Sequence, residues 1–261
     1  MQLQAPTELR QAALHWLAEP DHIAKSAGAI ALAQAYQDGH VSLEVEVVLA
    51  VERAIPGRPL HPQLVPHQFV PHRSMRTMEG RAALIHALAH IEFNAINLAL
   101  DAIWRFPNMP CGYYEDWLKV AAEEAHHFNL LAAHLLTKGY AYGAFVAHNG
   151  LWDMAEKTSD DILARIALVP RTMEARGLDA TPSVRAKLAQ AGELDAAEIL
   201  DIILADEIGH VLIGNRWFNQ ICLERGLEPM AAYALLAEKY QAPALRGPFN
   251  LEARRAAGFS E

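Results

Sequence analysis

The sequence predicts an all-α protein built on a four-helix bundle, with a helical extension before the bundle and a helix plus tail after it. Three observations predict it. Apolar residues recur at three- and four-residue spacing along most of the 261 residues, the period of a helix. Alanine is abundant and β-branched runs are short. Four long helical segments are each bounded by Pro or Gly.

Residues 7–18 and 21–36 read as two short helices, the first with Thr7 as N-cap, and 42–53 as a third. These make up an N-terminal helical extension, 1–54. The next stretch, IPGRPLHPQLVPHQFVPHR, holds five prolines and cannot be one helix. Residues 55–80 are therefore expected to be an extended connector packed on the bundle, with His61, His67 and His72 as loop residues. The bundle itself is expected over 81–228. Its first helix, 81–106, is stopped by Pro107 and Pro110. The second, 113–138, ends at Gly139. The third, 151–176, is kinked or interrupted at Pro170 and ended by Gly177, with a short helix near 182–191 after it. The fourth, 194–225, ends at Gly226 and Pro229. A last helix, 230–240, leads into a tail, giving a C-terminal region of 229–261.

A chain 52% hydrophobic and of this length can bury a sizeable core. Its net charge of −9 argues against a strongly basic nucleic-acid footprint. Cys111 and Cys222 match no zinc or redox spacing. The N-terminus lacks the apolar core of a secretory signal, and no apolar run reaches the ~18 residues of a membrane span. A cytoplasmic protein with no membrane partner is the expectation.

Two motifs carry chemistry. The fourth helix contains DEIGH and the second EEAHH. Both fit acid-Glu-x-x-His: Asp206, Glu207 and His210 in one, Glu123, Glu124 and His127 in the other. Three residues along a helix return to nearly the same face, so Glu and His at that spacing can bind one metal ion together. EEAHH allows a second register through Glu123 and His126, and periodicity chooses between them. The stripe through Glu124 is apolar: Trp117, Val120, Ala121, Phe128, Leu131 and Leu135. The stripe through Glu123 is mixed, holding Asp116, Lys119 and His134. Glu207 also sits on an apolar stripe, with Leu200, Ile203, Val211 and Phe218. A carboxylate there costs several kcal/mol unless charge compensates it, and a metal ion does so for two such pairs. Glu123 and Asp206 either hydrogen-bond a ligand histidine or lie in solvent. His86, His90, His126 and His134 read as surface or supporting groups rather than ligands. Trp104, Trp117, Trp217 and Phe218 read as core aromatics.

Each remaining bundle helix offers one acid. Glu92 lies on an apolar stripe, 14 residues before Phe106, and His127 lies 14 residues after Tyr113. In an antiparallel hairpin, equal distances from the turn mean equal height, so Glu92 and His127 are expected to meet. Glu174 is the candidate on the third helix, with Glu156 or Asp160 as the alternative, because Gly177 ends that helix too soon to match Glu207 in height. Glu92 precedes Glu124 by 32 residues and Glu174 precedes Glu207 by 33. The chain carries one arrangement twice.

That ligand pattern resembles the ferritin-like superfamily, in which two bundle helices each give Glu-x-x-His and the other two each give a Glu. The stretches AHIEFNAINLALDA, DWLKVAAEEAHHFNLL, YGAFVAHNGLWDMAEKT, LVPRTMEARGLDATP, ILADEIGHVLIGNRWF and PFNLEARRAAGF resemble a bacterial family called domain of unknown function 455, from about Ile55 onward. The resemblance implies a ferritin-like fold with Glu92, Glu124, His127, Glu174, Glu207 and His210 as ligands to two iron ions, although the same donors suit manganese. It also implies kinship with di-iron hydroxylases that modify tRNA. The expected activity is O2-dependent oxidation of an organic substrate by a monomer or dimer, with substrate and electron donor unspecified. Iron oxidation or handling, and a non-catalytic metal-binding bundle, are the alternatives.

Overall fold

The computed structural model describes residues 7–259. Among them the order contains ten α-helices, one 3-10 turn and one π-helical turn, with no strand. The chain divides into two compact units, Met1–Asn149 and Gly150–Glu261. The division falls inside 81–228, the stretch expected to form one bundle.

The first unit contains α1 (Leu9–Leu17), α2 (His22–Gln37), α3 (Met78–Arg105) and α4 (Cys111–Thr137). The long hairpin α3–α4 is its spine, with α1 packed on α3 and α2 on α4. Pro110 precedes α4, and Thr77 caps α3 by accepting from the Gly80 N–H at 3.0 Å. By length and composition α3 could cross a membrane, but 72% of its most apolar 18-residue window is buried, as in a core helix.

The cap of α1 is Glu8 rather than Thr7. Its carboxylate accepts from the N–H groups of Arg10 at 3.0 Å and Gln11 at 2.8 Å. The expected helix over 42–53 is absent, and Arg10 supplies a physical reason. This buried guanidinium donates to the carbonyls of Glu44, Val45 and Val47, as well as to Ile103 and Trp104 of α3. Carbonyls that a helix would spend on its own N–H groups instead serve as a ligand cradle for Arg10. Lys25 acts similarly on the other side. Its ammonium donates to Leu17 O at 3.1 Å, Gly57 O at 2.8 Å and Asn97 Oδ1 at 2.5 Å. Gly57 must be glycine, because a Cβ there would lie 2.2 Å from Ala18 O. The proline-rich connector is extended apart from the 3-10 turn His67–Phe69, and it pairs with 147 through Val65 N–H to Ala147 O at 2.8 Å.

The second unit contains α5 (Gly150–Lys157), α6 (Ile162–Leu168), the π-helical turn Val169–Glu174, α7 (Ala175–Gln190), α8 (Leu194–Glu224), α9 (Pro229–Lys239) and α10 (Leu251–Ala256). The 31-residue α8 is its axis, packed by α6, the π turn, α7, α9 and α10. Gly177 does not end a helix; α7 runs through both Gly177 and Pro182. Pro182 has no N–H for the Leu178 carbonyl, and Asn250 Nδ2 donates to that carbonyl instead, at 3.2 Å. Pro170 is absorbed by the π turn, where Thr172 Oγ1 bonds Ala167 O at 2.7 Å. Gly214 lets α8 approach this turn, since a Cβ would lie 2.7 Å from Pro170 Cβ. The tail folds back as α10, locked by Asp179. That carboxylate accepts from Asn250 N–H at 2.9 Å and from Arg254 Nε and Nη2 at 2.9 and 2.6 Å.

Candidate metal centre

In the first unit α3 and α4 each run uninterrupted past the site, so side chains at equal height meet. His127 Nδ1 lies 3.4 Å from Glu92 Oε2 and 3.5 Å from Glu124 Oε2. All three residues are buried, and their nearest donor atoms fall within 4.8 Å of one another. Donors about 2.1 Å from a common ion stand about 3.0 Å apart along octahedral edges and about 3.4 Å along tetrahedral ones. The observed separations match one ion. Two carboxylates held together in the interior need a cation, and without a metal the cation is His127 itself. Burial alone would lower its pKa, but the hydrogen bonds and charges of Glu124 and Glu92 push it up to about 11.

The other register of EEAHH faces outward. His126 is exposed, and Glu123 pairs with Lys119 on its own helix at 3.4 Å. In the second unit Glu207 and His210, both buried, face each other with His210 Nδ1 3.7 Å from Glu207 Oε1. Both Glu-x-x-His pairs therefore turn Nδ1 toward the carboxylate. Asp206 is half-buried. Glu174 closes the π turn at its junction with α7 and is partly buried. The alternatives Glu156 and Asp160 are exposed, one accepting from Trp152 Nε1 at 2.7 Å and the other from Ser159 at 3.3 Å.

His86 and His90 are not surface residues. Both are buried around Tyr142, in a sequence stretch with no period to announce it. His90 Nδ1 meets the Tyr142 hydroxyl at 2.8 Å, while its Nε2 meets His148 O at 3.1 Å. His86 Nε2 accepts from the Gly143 N–H at 2.9 Å. Burial, chiefly, holds both histidines down at about 4, so they are neutral imidazoles. A shallow recess with room for about one water lies among Arg58, Pro62, Leu64, His90, Phe93 and Tyr142.

Comparison with known proteins places the chain in a family. The family model described as protein of unknown function (DUF455) matches residues 18–261. The chain belongs to the DUF455 family. A relative from Haemophilus influenzae, named only as an uncharacterized protein, is 51% identical over 215 residues, covering 80% of this chain and 74% of the relative. No solved structure matches the chain.

Proposed function

We propose that this DUF455 protein is a ferritin-like dinuclear metal protein, with iron as the metal, that uses O2 to oxidise an organic substrate. The observation that carries the reading is the convergence of Glu92, Glu124 and His127 in the buried interior of the α3–α4 hairpin. A second Glu-x-x-His pair of the same geometry, Glu207 and His210, supports a count of two ions. Glu174 completes the second donor set. When bound, the iron would supply open positions at which O2 is activated, the electrons coming from the organic substrate or an external reductant.

The chain's own residues provide the rest. Glu92 and Glu124 would hold the metal through their carboxylate oxygens. His127 would hold it through Nδ1 as a neutral imidazole. Phe93, Phe128 and Tyr142 pack against one another, with centroids 5.0 to 5.5 Å apart, and keep water from the α3 side. Metal analysis of protein from its native host, followed by O2 uptake with candidate substrates, tests the proposal. Two irons per chain, and uptake in step with product, support it. Metal-free protein after reconstitution with ferrous iron overturns it. Many irons per chain in a large hollow shell would replace oxidation by storage.

A further inference from the structure

Arg171, in the π turn of the second unit, is held unlike the other partly buried arginines. Arg10 spends its donors on carbonyls, Arg105 pairs with Asp101, and Arg254 pairs with Asp179. The Arg171 guanidinium instead sits over three aromatic rings: Phe218 at 4.9 Å, Phe259 at 5.0 Å and Tyr233 at 5.6 Å. Its one polar partner among the described residues is Asn215 Oδ1. Asn215 is fixed in turn, because its Nδ2 donates to Ala257 O at 2.7 Å. No carboxylate among the described residues pairs with Arg171. A guanidinium has five N–H donors, so most of the fork is uncommitted, and the residue keeps partial access to solvent. The nearby Arg254, over the same Phe259 ring at 5.0 Å, takes Asp179 as its own partner, so that carboxylate is already committed away from Arg171. Rings against the faces of a guanidinium fix its plane and leave its N–H edge to make in-plane, bidentate bonds.

We propose that Arg171 anchors an oxyanion subsite, in which the N–H edge of the caged guanidinium takes a phosphate or carboxylate group of a small-molecule ligand. Asn215 sets the rotation of the fork and the three rings set its tilt. The subsite is independent of any metal.

The test is calorimetric titration of the full chain, at fixed ionic strength with chloride as the balancing anion, using inorganic phosphate in one arm and acetate in the other. Saturable binding of at least one anion is expected, weakened about tenfold in Arg171→Gln and less in Arg171→Lys, as for loss of a charge-assisted hydrogen bond. Which arm binds identifies the oxyanion. Wild-type protein that binds neither anion overturns the proposal, and so does an Arg171→Gln affinity equal to wild type. If Arg171→Gln does not fold, Tyr233→Leu, which loosens the cage and leaves the charge, is expected to weaken binding about threefold through its cation–π share, and unchanged affinity overturns the proposal. Binding that appears only in Glu261→Gln also overturns it, because the chain's own acid would then be the occupant.

Discussion

The two Glu-x-x-His pairs are alike in spacing and in turning Nδ1 toward the carboxylate, yet the acid proposed to accompany each stands on a different kind of backbone. In the first unit Glu92 comes from a straight 28-residue helix, α3, hairpinned against the straight α4. Nothing but helical rise is needed to bring it to His127. In the second unit Glu174 ends a π turn, between a seven-residue helix and a helix that carries a proline. That stretch is held by specific bonds: Thr172 to Ala167, Asn250 to Leu178, and the Asp179–Arg254 pair. A regular hairpin positions an acid through packing that many sequences can provide. A π turn positions one through a few polar contacts, each of which can be removed singly.

Removing a donor should have the largest effect. Glu124→Ala is expected to abolish tight metal binding by the first donor set, and Glu207→Ala to do the same for the second, as read by metal content after reconstitution. If both variants keep full metal content, the two sets are not the metal ligands. An extended X-ray absorption spectrum with a metal–metal vector of about 3.5–4 Å would show that the ions form one dinuclear centre.

Gly214→Ala sharpens the contrast next. A methyl 2.7 Å from Pro170 Cβ must push the π turn off α8, and a loss of about 1–3 kcal/mol in unfolding free energy is expected. Gly112→Ala, at the first turn of α4 with open space around its Cβ, is the control and should be near neutral. Thr172→Val comes third. It removes the bond to Ala167 O and should cost about 1 kcal/mol, read by urea midpoint, with hydrogen exchange rising around 169–174 and not in α3 or α4.

The fourth effect belongs to the first unit and appears as pH dependence. Burial first, and the charge of Arg58 second, hold Lys25 down to about 7 from its ordinary 10.5, against the opposing charge of Glu19. Below pH 7 folded and unfolded chains both carry the proton and the slope is nil. Between pH 7 and 10.5 the unfolded chain binds one more proton, so stability rises with pH by up to about 1.4 kcal/mol per unit. Lys25→Met should erase that difference in paired urea melts at pH 7 and pH 9; equal slopes in the two proteins would show that the ammonium stays charged. The smallest effect is expected for Glu123→Ala, within about 0.5 kcal/mol, because its pairing with Lys119 is largely solvated.

The sequence by itself determined the all-helical class, the long helices α3, α4 and α8, and the inward register of Glu124, His127 and Glu207. Apolar periodicity reports which face of a regular helix is buried, and that signal is strong over 27 to 31 residues. It also determined the meeting of Glu92 with His127, because equal distances from one turn fix height. Tertiary structure alone decided the rest. Gly177 and Pro182 carry the local marks of helix ends, but Asn250, some 70 residues away, accepts the consequence of the missing N–H and the helix continues. Residues 42–53 have a helical pattern, but Glu44, Val45 and Val47 within it give their carbonyls to Arg10. The sequence leaves His86 and His90 as either surface or supporting groups, and only the folding of Tyr142 and Gly143 over them decides that they are buried. In each case the deciding partner is distant in sequence, and a local pattern cannot carry the position of a hydrogen-bond partner that only the folded chain brings near.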